Sequence, residues 1–103
     1  MTEPGFRPAG AADLAEGQMR AVHVDGRDIV LCRTRHGWHA LDDECTHACA
    51  KMSEGRLRGV RLICPLHGAS FDCRTGSALG PPAPQPLKTY PVRIVGDQVE
   101  IEV

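Results

Sequence analysis

Cys45 and His47, followed after sixteen residues (48–63) by Cys64 and His67, spell Cys-x-His and then Cys-x-x-His. Each pair supplies one sulfur donor and one nitrogen donor. Two loops can therefore close on a metal centre whose two halves differ chemically. Two thiolates and two imidazoles also satisfy one tetrahedral zinc ion. Familiar Cys2His2 zinc fingers place both cysteines before both histidines and carry a helix. In this chain the residue types alternate, and each pair sits in a Gly- and Pro-flanked loop between strand-like runs.

The segments around these residues read ECTHACAKMSEGRL and ICPLHGASFDCRTG. They resemble the two cluster-binding loops of the Rieske family, and the likeness covers roughly residues 40–95, including Gly68 after the last histidine. The resemblance implies one [2Fe–2S] cluster, with Cys45 and Cys64 on one iron and His47 and His67 on the other. It implies buried cysteines and histidines near a tip, where electrons leave. Ala48, Leu66 and the proline-rich run 80–86 would form an apolar rim there, with the proline-rich run shielding the cluster.

Departures from the respiratory branch of that family carry information. Those proteins join their loops by a disulfide and place a serine and a tyrosine hydroxyl on the cluster sulfurs. Here Leu66 stands at the second loop's disulfide position, and Cys49 lies one residue short of the usual place in the first. Ala69 replaces the serine and Phe71 the tyrosine. Without those donors the potential is expected at the low end of the histidine-ligated range, about −150 mV. That suits a ferredoxin taking electrons from a flavin-dependent NAD(P)H reductase and passing them to a terminal ring-hydroxylating oxygenase. On this reading the chain is an electron-transfer component and not itself an enzyme. A Rieske subunit of another oxidoreductase, such as nitrite reductase, and a zinc-stabilised binding module are the alternatives.

A terminal oxygenase would need a second iron held by two histidines and a carboxylate. No histidine follows His67. His23, His36 and His39 read as surface or satisfied side chains, and neither Ser53 nor Ser70 has an evident base. A net charge of −1 argues for neither nucleic acid nor an anionic membrane as partner. No apolar run reaches 18 residues, and the N-terminus lacks a basic-then-apolar leader pattern. Cys32, Cys49 and Cys73 show no disulfide framework, so a reducing cytoplasm is expected. Cys32 and Cys73 read as core and Cys49 as a bystander. Asp42, Asp43 and Glu44 could steer a basic partner but read more readily as a solvated turn, and Lys51, Arg56, Arg58 and Arg61 spread positive charge over the insert with the same two readings.

Short strands are expected at 19–24, 27–34, 38–41, 60–63, 69–73, 87–95 and 98–103, with turns at Asp25-Gly26, Arg35-His36-Gly37, Arg74-Thr75-Gly76 and Gly96-Asp97. One short helix is expected at 11–16. The pattern predicts an all-β fold, an antiparallel sandwich or small barrel. Residues 1–103 are expected to form a single domain, with a cluster-binding subdomain inserted at about 43–84.

Overall fold

A computed structural model describes residues 5–46, 50–66, 68–79 and 85–103. Its strands are β1 (Phe6–Ala11), β2 (Met19–Val24), β3 (Arg27–Thr34), β4 (Gly37–Asp42), β5 (Arg56–Arg58), β6 (Arg61–Ile63), β7 (Ser70–Asp72), β8 (Thr89–Tyr90), β9 (Val92–Val95) and β10 (Gln98–Glu102). A 3-10 turn spans Met52–Glu54. The all-β expectation holds, and every strand pair is antiparallel.

The β2–β3 hairpin turns at Asp25-Gly26, where both residues take positive φ (55° and 81°). That is the backbone a tight two-residue hairpin needs, and Asp-Gly tolerates it. β3 then occupies the middle of a four-stranded sheet ordered β2-β3-β4-β8. Successive side chains of a strand point to opposite faces. Ile29 and Leu31 accordingly enter one core with Ala40, Tyr90, Val99 and Ile101. Val30 and Cys32 enter a second core with Leu41, Cys45, Met52, Leu62, Cys64 and Phe71. The continuous apolar run Ile29–Cys32 is thus buried on both faces. One face packs against the sheet β1-β10-β9, and the other against the elements that carry the two cysteines.

The third sheet is β5-β6-β7, and Cys64 lies in the connection between its β6 and β7. Its β6 contributes Leu62 and its β7 contributes Phe71, both fully buried. The core that supports the cysteines is therefore built jointly by this small sheet and by β3 and β4.

Several local expectations are corrected. The helix expected at 11–16 does not form. Ala11 ends β1, and the Ala12 amide donates to the Asp97 carbonyl at 2.8 Å. Six residues are too few to hold a helix without packing, and here tertiary backbone bonds take the segment instead. β1 itself was missed because Pro8 and Gly10 disguise it. Its register against β10 shifts between them, as an edge strand with a bulge allows. The expected strand 87–95 is broken at Pro91, where the chain passes from the four-stranded sheet (β8) to the three-stranded one (β9). β5 was also missed, since Arg56 and Arg58 are exposed and only Leu57 turns inward.

Candidate functional site

Cys45 and Cys64 come together. Both are buried, 4% and 2% exposed, and both belong to the second core. Their loops are closed by the same bond. The Cys45 amide donates to the Ala50 carbonyl at 2.9 Å, and the Cys64 amide donates to the Ala69 carbonyl at 2.7 Å. Each loop therefore returns to its own cysteine five residues on. The Leu66 amide also points at Cys64 Sγ, 3.4 Å away.

Burial is the largest influence on the Cys64 thiol and pushes it up. The Leu66 amide opposes that shift, while hydrogen bonding and charge repulsion from the adjacent Cys45 sulfur reinforce it. Two neighbouring sulfurs in an apolar pocket resist becoming thiolates together unless a cation joins them. A ferric ion supplies that charge, so this donor pair fits the sulfur half of an iron–sulfur site. His47 and His67, named from the sequence as the nitrogen half, lie outside the described residues, as do Ala48, Cys49 and residues 80–84 of the proline-rich run. That run is nevertheless tied to the first loop, because Thr46 Oγ1 donates to the Gln85 carbonyl at 2.9 Å. Leu66 is 45% exposed and Leu79 40%, leaving apolar surface beside this end of the molecule.

In the acidic stretch before Cys45, Glu44 is exposed as a solvated turn would have it, but Asp43 is not. Asp43 is only 2% exposed. Its Oδ1 accepts the Ser53 amide at 2.7 Å and its Oδ2 accepts the Ser53 hydroxyl at 2.8 Å. Its own carbonyl accepts the Met52 amide at 2.6 Å, and its amide donates to the Asp28 carbonyl at 3.0 Å. Asp42 accepts a short hydrogen bond from the Tyr90 hydroxyl. Asp-Asp-Glu has the composition of an exposed turn, so only the burial reveals this role.

The remaining side chains take structural roles. Ser53 is engaged by Asp43, and Ser70 Oγ accepts from Arg61 at 2.9 Å. His23 Nδ1 sits 2.8 Å from Asp28 Oδ1, and Lys51 Nζ sits 2.7 Å from Asp28 Oδ2. His39 Nε2 is 2.9 Å from Thr34 Oγ1. Cys32 and Cys73 are core thiols, as expected. Burial pushes Cys32 far up and Cys73 up to about 11, which keeps both protonated and inert. An open hollow of about 430 Å³ runs beside the second loop, lined by Glu54, Gly55, Arg56, Ile63, Cys64, Pro65 and Gly68. Among the described residues no helix is long and apolar enough to cross a membrane.

Comparison with known proteins agrees with this architecture. Residues 7–91 match the family described as Rieske [2Fe-2S] domain. The chain is 40% identical over 103 residues to the ferredoxin component of the naphthalene 1,2-dioxygenase system of Pseudomonas aeruginosa, covering 100% of this chain and 99% of that one. Among solved structures it is similar to the ferredoxin of carbazole 1,9a-dioxygenase from Nocardioides aromaticivorans IC177 (TM-score 0.88, 28% identity, 93% of this chain and 95% of that one). It also matches a chain in a complex of reduced oxygenase and oxidized ferredoxin in carbazole 1,9a-dioxygenase (TM-score 0.90, 30% identity, 97% and 94%). The chain spans nearly the full length of these relatives, and with its paired buried cysteines it belongs to the Rieske [2Fe–2S] domain family and carries one [2Fe–2S] cluster.

Proposed function

We propose that this chain is a single-domain electron-transfer ferredoxin whose cluster is held by Cys45, His47, Cys64 and His67. It passes single electrons from a flavin-containing NAD(P)H reductase to the terminal oxygenase of a ring-hydroxylating dioxygenase system in the cytoplasm. The observation that carries the reading is the burial of Cys45 and Cys64 side by side, at the bases of two loops closed by matching bonds. When bound, the cluster supplies one-electron redox chemistry.

The protein's own residues do the rest. Cys45 and Cys64 hold the sulfur end inside an apolar core, away from water and oxidant. The Leu66 amide tunes Cys64 Sγ by donating to it. The fully buried Ala69 and Phe71 offer no hydroxyl to a sulfur, which keeps the potential low. His47 and His67 would complete the nitrogen end at the exposed tip, with Leu66 and Leu79 as part of a small apolar docking rim. The likeness to dioxygenase ferredoxins, one of them in a complex with its oxygenase, supports the choice of partners.

Reconstituted turnover tests this. Purified protein, a flavin reductase and a ring-hydroxylating oxygenase should couple NAD(P)H oxidation to product formation. Cys45→Ser and Cys64→Ser should each abolish the coupling together with the brown colour. Transfer to a nitrite reductase but to no ring-hydroxylating oxygenase would overturn the choice of partner. Colourless protein with stoichiometric zinc would overturn the electron-transfer reading itself.

A further inference from the structure

We propose that Asp43 is a positioning residue for the cluster: its buried carboxylate locks the two cysteine-bearing loops together through Ser53, and its negative charge lowers the reduction potential. The inference rests on the cluster assignment made above.

The mechanical part follows from the bonds. Asp43 stands two residues before Cys45 and grips both the amide and the hydroxyl of Ser53, at 2.7 and 2.8 Å. Ser53 lies in the 3-10 turn Met52–Glu54, which Gly55 follows. Gly55 is pressed against Ile63, the residue before Cys64, so that a Cβ on it would lie 1.9 Å from the Ile63 carbonyl oxygen. The path Asp43–Ser53–Gly55–Ile63 thus runs from one cysteine's loop to the other's. Met52, inside the same turn, is fully buried in the core that holds both sulfurs.

The electrostatic part follows from hydrogen-bond chemistry. Both carboxylate oxygens accept, one from an N–H and one from an O–H. A carboxylate can accept both bonds with no proton of its own. Burial is the main cause of the raised Cys32 pKa and the Asp28 hydrogen bond of the raised Lys51 pKa, and the Asp43 charge adds a smaller rise to each. A fixed anion beside a redox centre disfavours an added electron.

Three variants of the iron-loaded protein separate these parts. Asp43→Asn keeps the shape and can still bond both Ser53 groups, with the hydroxyl reversing its role. It should retain wild-type iron and EPR line shape while its midpoint rises, by up to about tenfold in the reduction equilibrium constant, or about 59 mV for one electron. Ser53→Ala keeps the charge and loses one bond; its midpoint should stay in place while a chelator strips its iron several-fold faster. Asp43→Ala should lose iron fastest. A wild-type midpoint in iron-retaining Asp43→Asn, or wild-type iron retention in Ser53→Ala, would overturn the proposal. Hydrogen exchange in the wild type decides should Asp43→Asn fail to fold: the Ser53 amide must be strongly protected, and rapid exchange there would refute the clamp. A wild-type protein that binds no iron would instead refute the cluster assignment, an outcome distinct from a cluster-bearing protein whose potential ignores residue 43.

Discussion

Gly55 faces the backbone of Ile63 with no space for a side chain: a Cβ would sit 1.9 Å from the carbonyl oxygen and 3.0 Å from the carbonyl carbon. This close approach brings the turn after the first cysteine loop onto the strand that leads into the second.

Gly55→Ala should therefore be among the most damaging small substitutions in the chain. Both clashing atoms are backbone, so no flexible side chain can move aside. The expected cost is at the upper end of the usual overpacking range, about 3 kcal/mol, with loss of iron. Chemical denaturation and iron analysis check it. Wild-type stability and full iron would show that β6 shifts freely, contrary to the packing described.

Adding back the missing hydroxyls should raise the potential. Ala69 and Phe71 are fully buried where the respiratory branch has serine and tyrosine. Ala69→Ser and Phe71→Tyr should each raise the midpoint by the worth of about one hydrogen bond, roughly 1 kcal/mol, which is less than the tenfold step of about 59 mV. Protein-film voltammetry reads this directly. A fall in both variants would contradict the hydroxyl argument behind the proposed low potential.

Much of this was legible in the sequence for identifiable reasons. Asp25-Gly26 fixed the β2–β3 hairpin through its turn chemistry, and the apolar run Ile29–Cys32 announced a strand buried on both sides. Cys45 and Cys64 were legible because metal donors at such spacing are scarce by chance. What escaped depends on tertiary context. Residues 11–16 have helical composition, but backbone bonds hold the chain at either end of the segment: the Ala12 amide to the Asp97 carbonyl at 2.8 Å and, just beyond it, the Gly17 amide to the Arg33 carbonyl at 2.7 Å. Pro91 ends one strand and begins another in a different sheet, which no local pattern reveals. Asp43 looks like any turn aspartate until Ser53 is seen against it.

His39 should make stability fall on mild acidification. Burial lowers its pKa below the ordinary 6.5; Asp72 opposes this, while His36 and Arg74 add to it. The unfolded chain then takes up the proton more readily than the fold. The contribution is complete above about pH 6.5 and is lost as pH falls through the lower folded value. Unfolding free energy between pH 7 and pH 5 should decline less steeply in His39→Gln than in the wild type. Identical slopes would remove His39 as the cause.

Stripping iron should loosen the site while sparing the scaffold. On the proposed assignment Cys45 and Cys64 share the cluster and Leu66 donates to Cys64, whereas Ile29–Cys32 sit at the centre of both cores. Amide exchange after chelation should accelerate at the first three and stay slow at the second group, with a lower Tm overall. Uniform acceleration throughout would mean that the fold has no metal-independent core.

The central claim is that buried Cys45 and Cys64 form the sulfur end of a histidine-ligated iron–sulfur cluster. Visible and EPR spectra of the purified protein before and after dithionite test it most directly. The account predicts a brown protein, silent when oxidised, whose reduced form gives a rhombic signal with a lower average g than an all-cysteine cluster shows. A colourless, EPR-silent protein with one equivalent of zinc would contradict it.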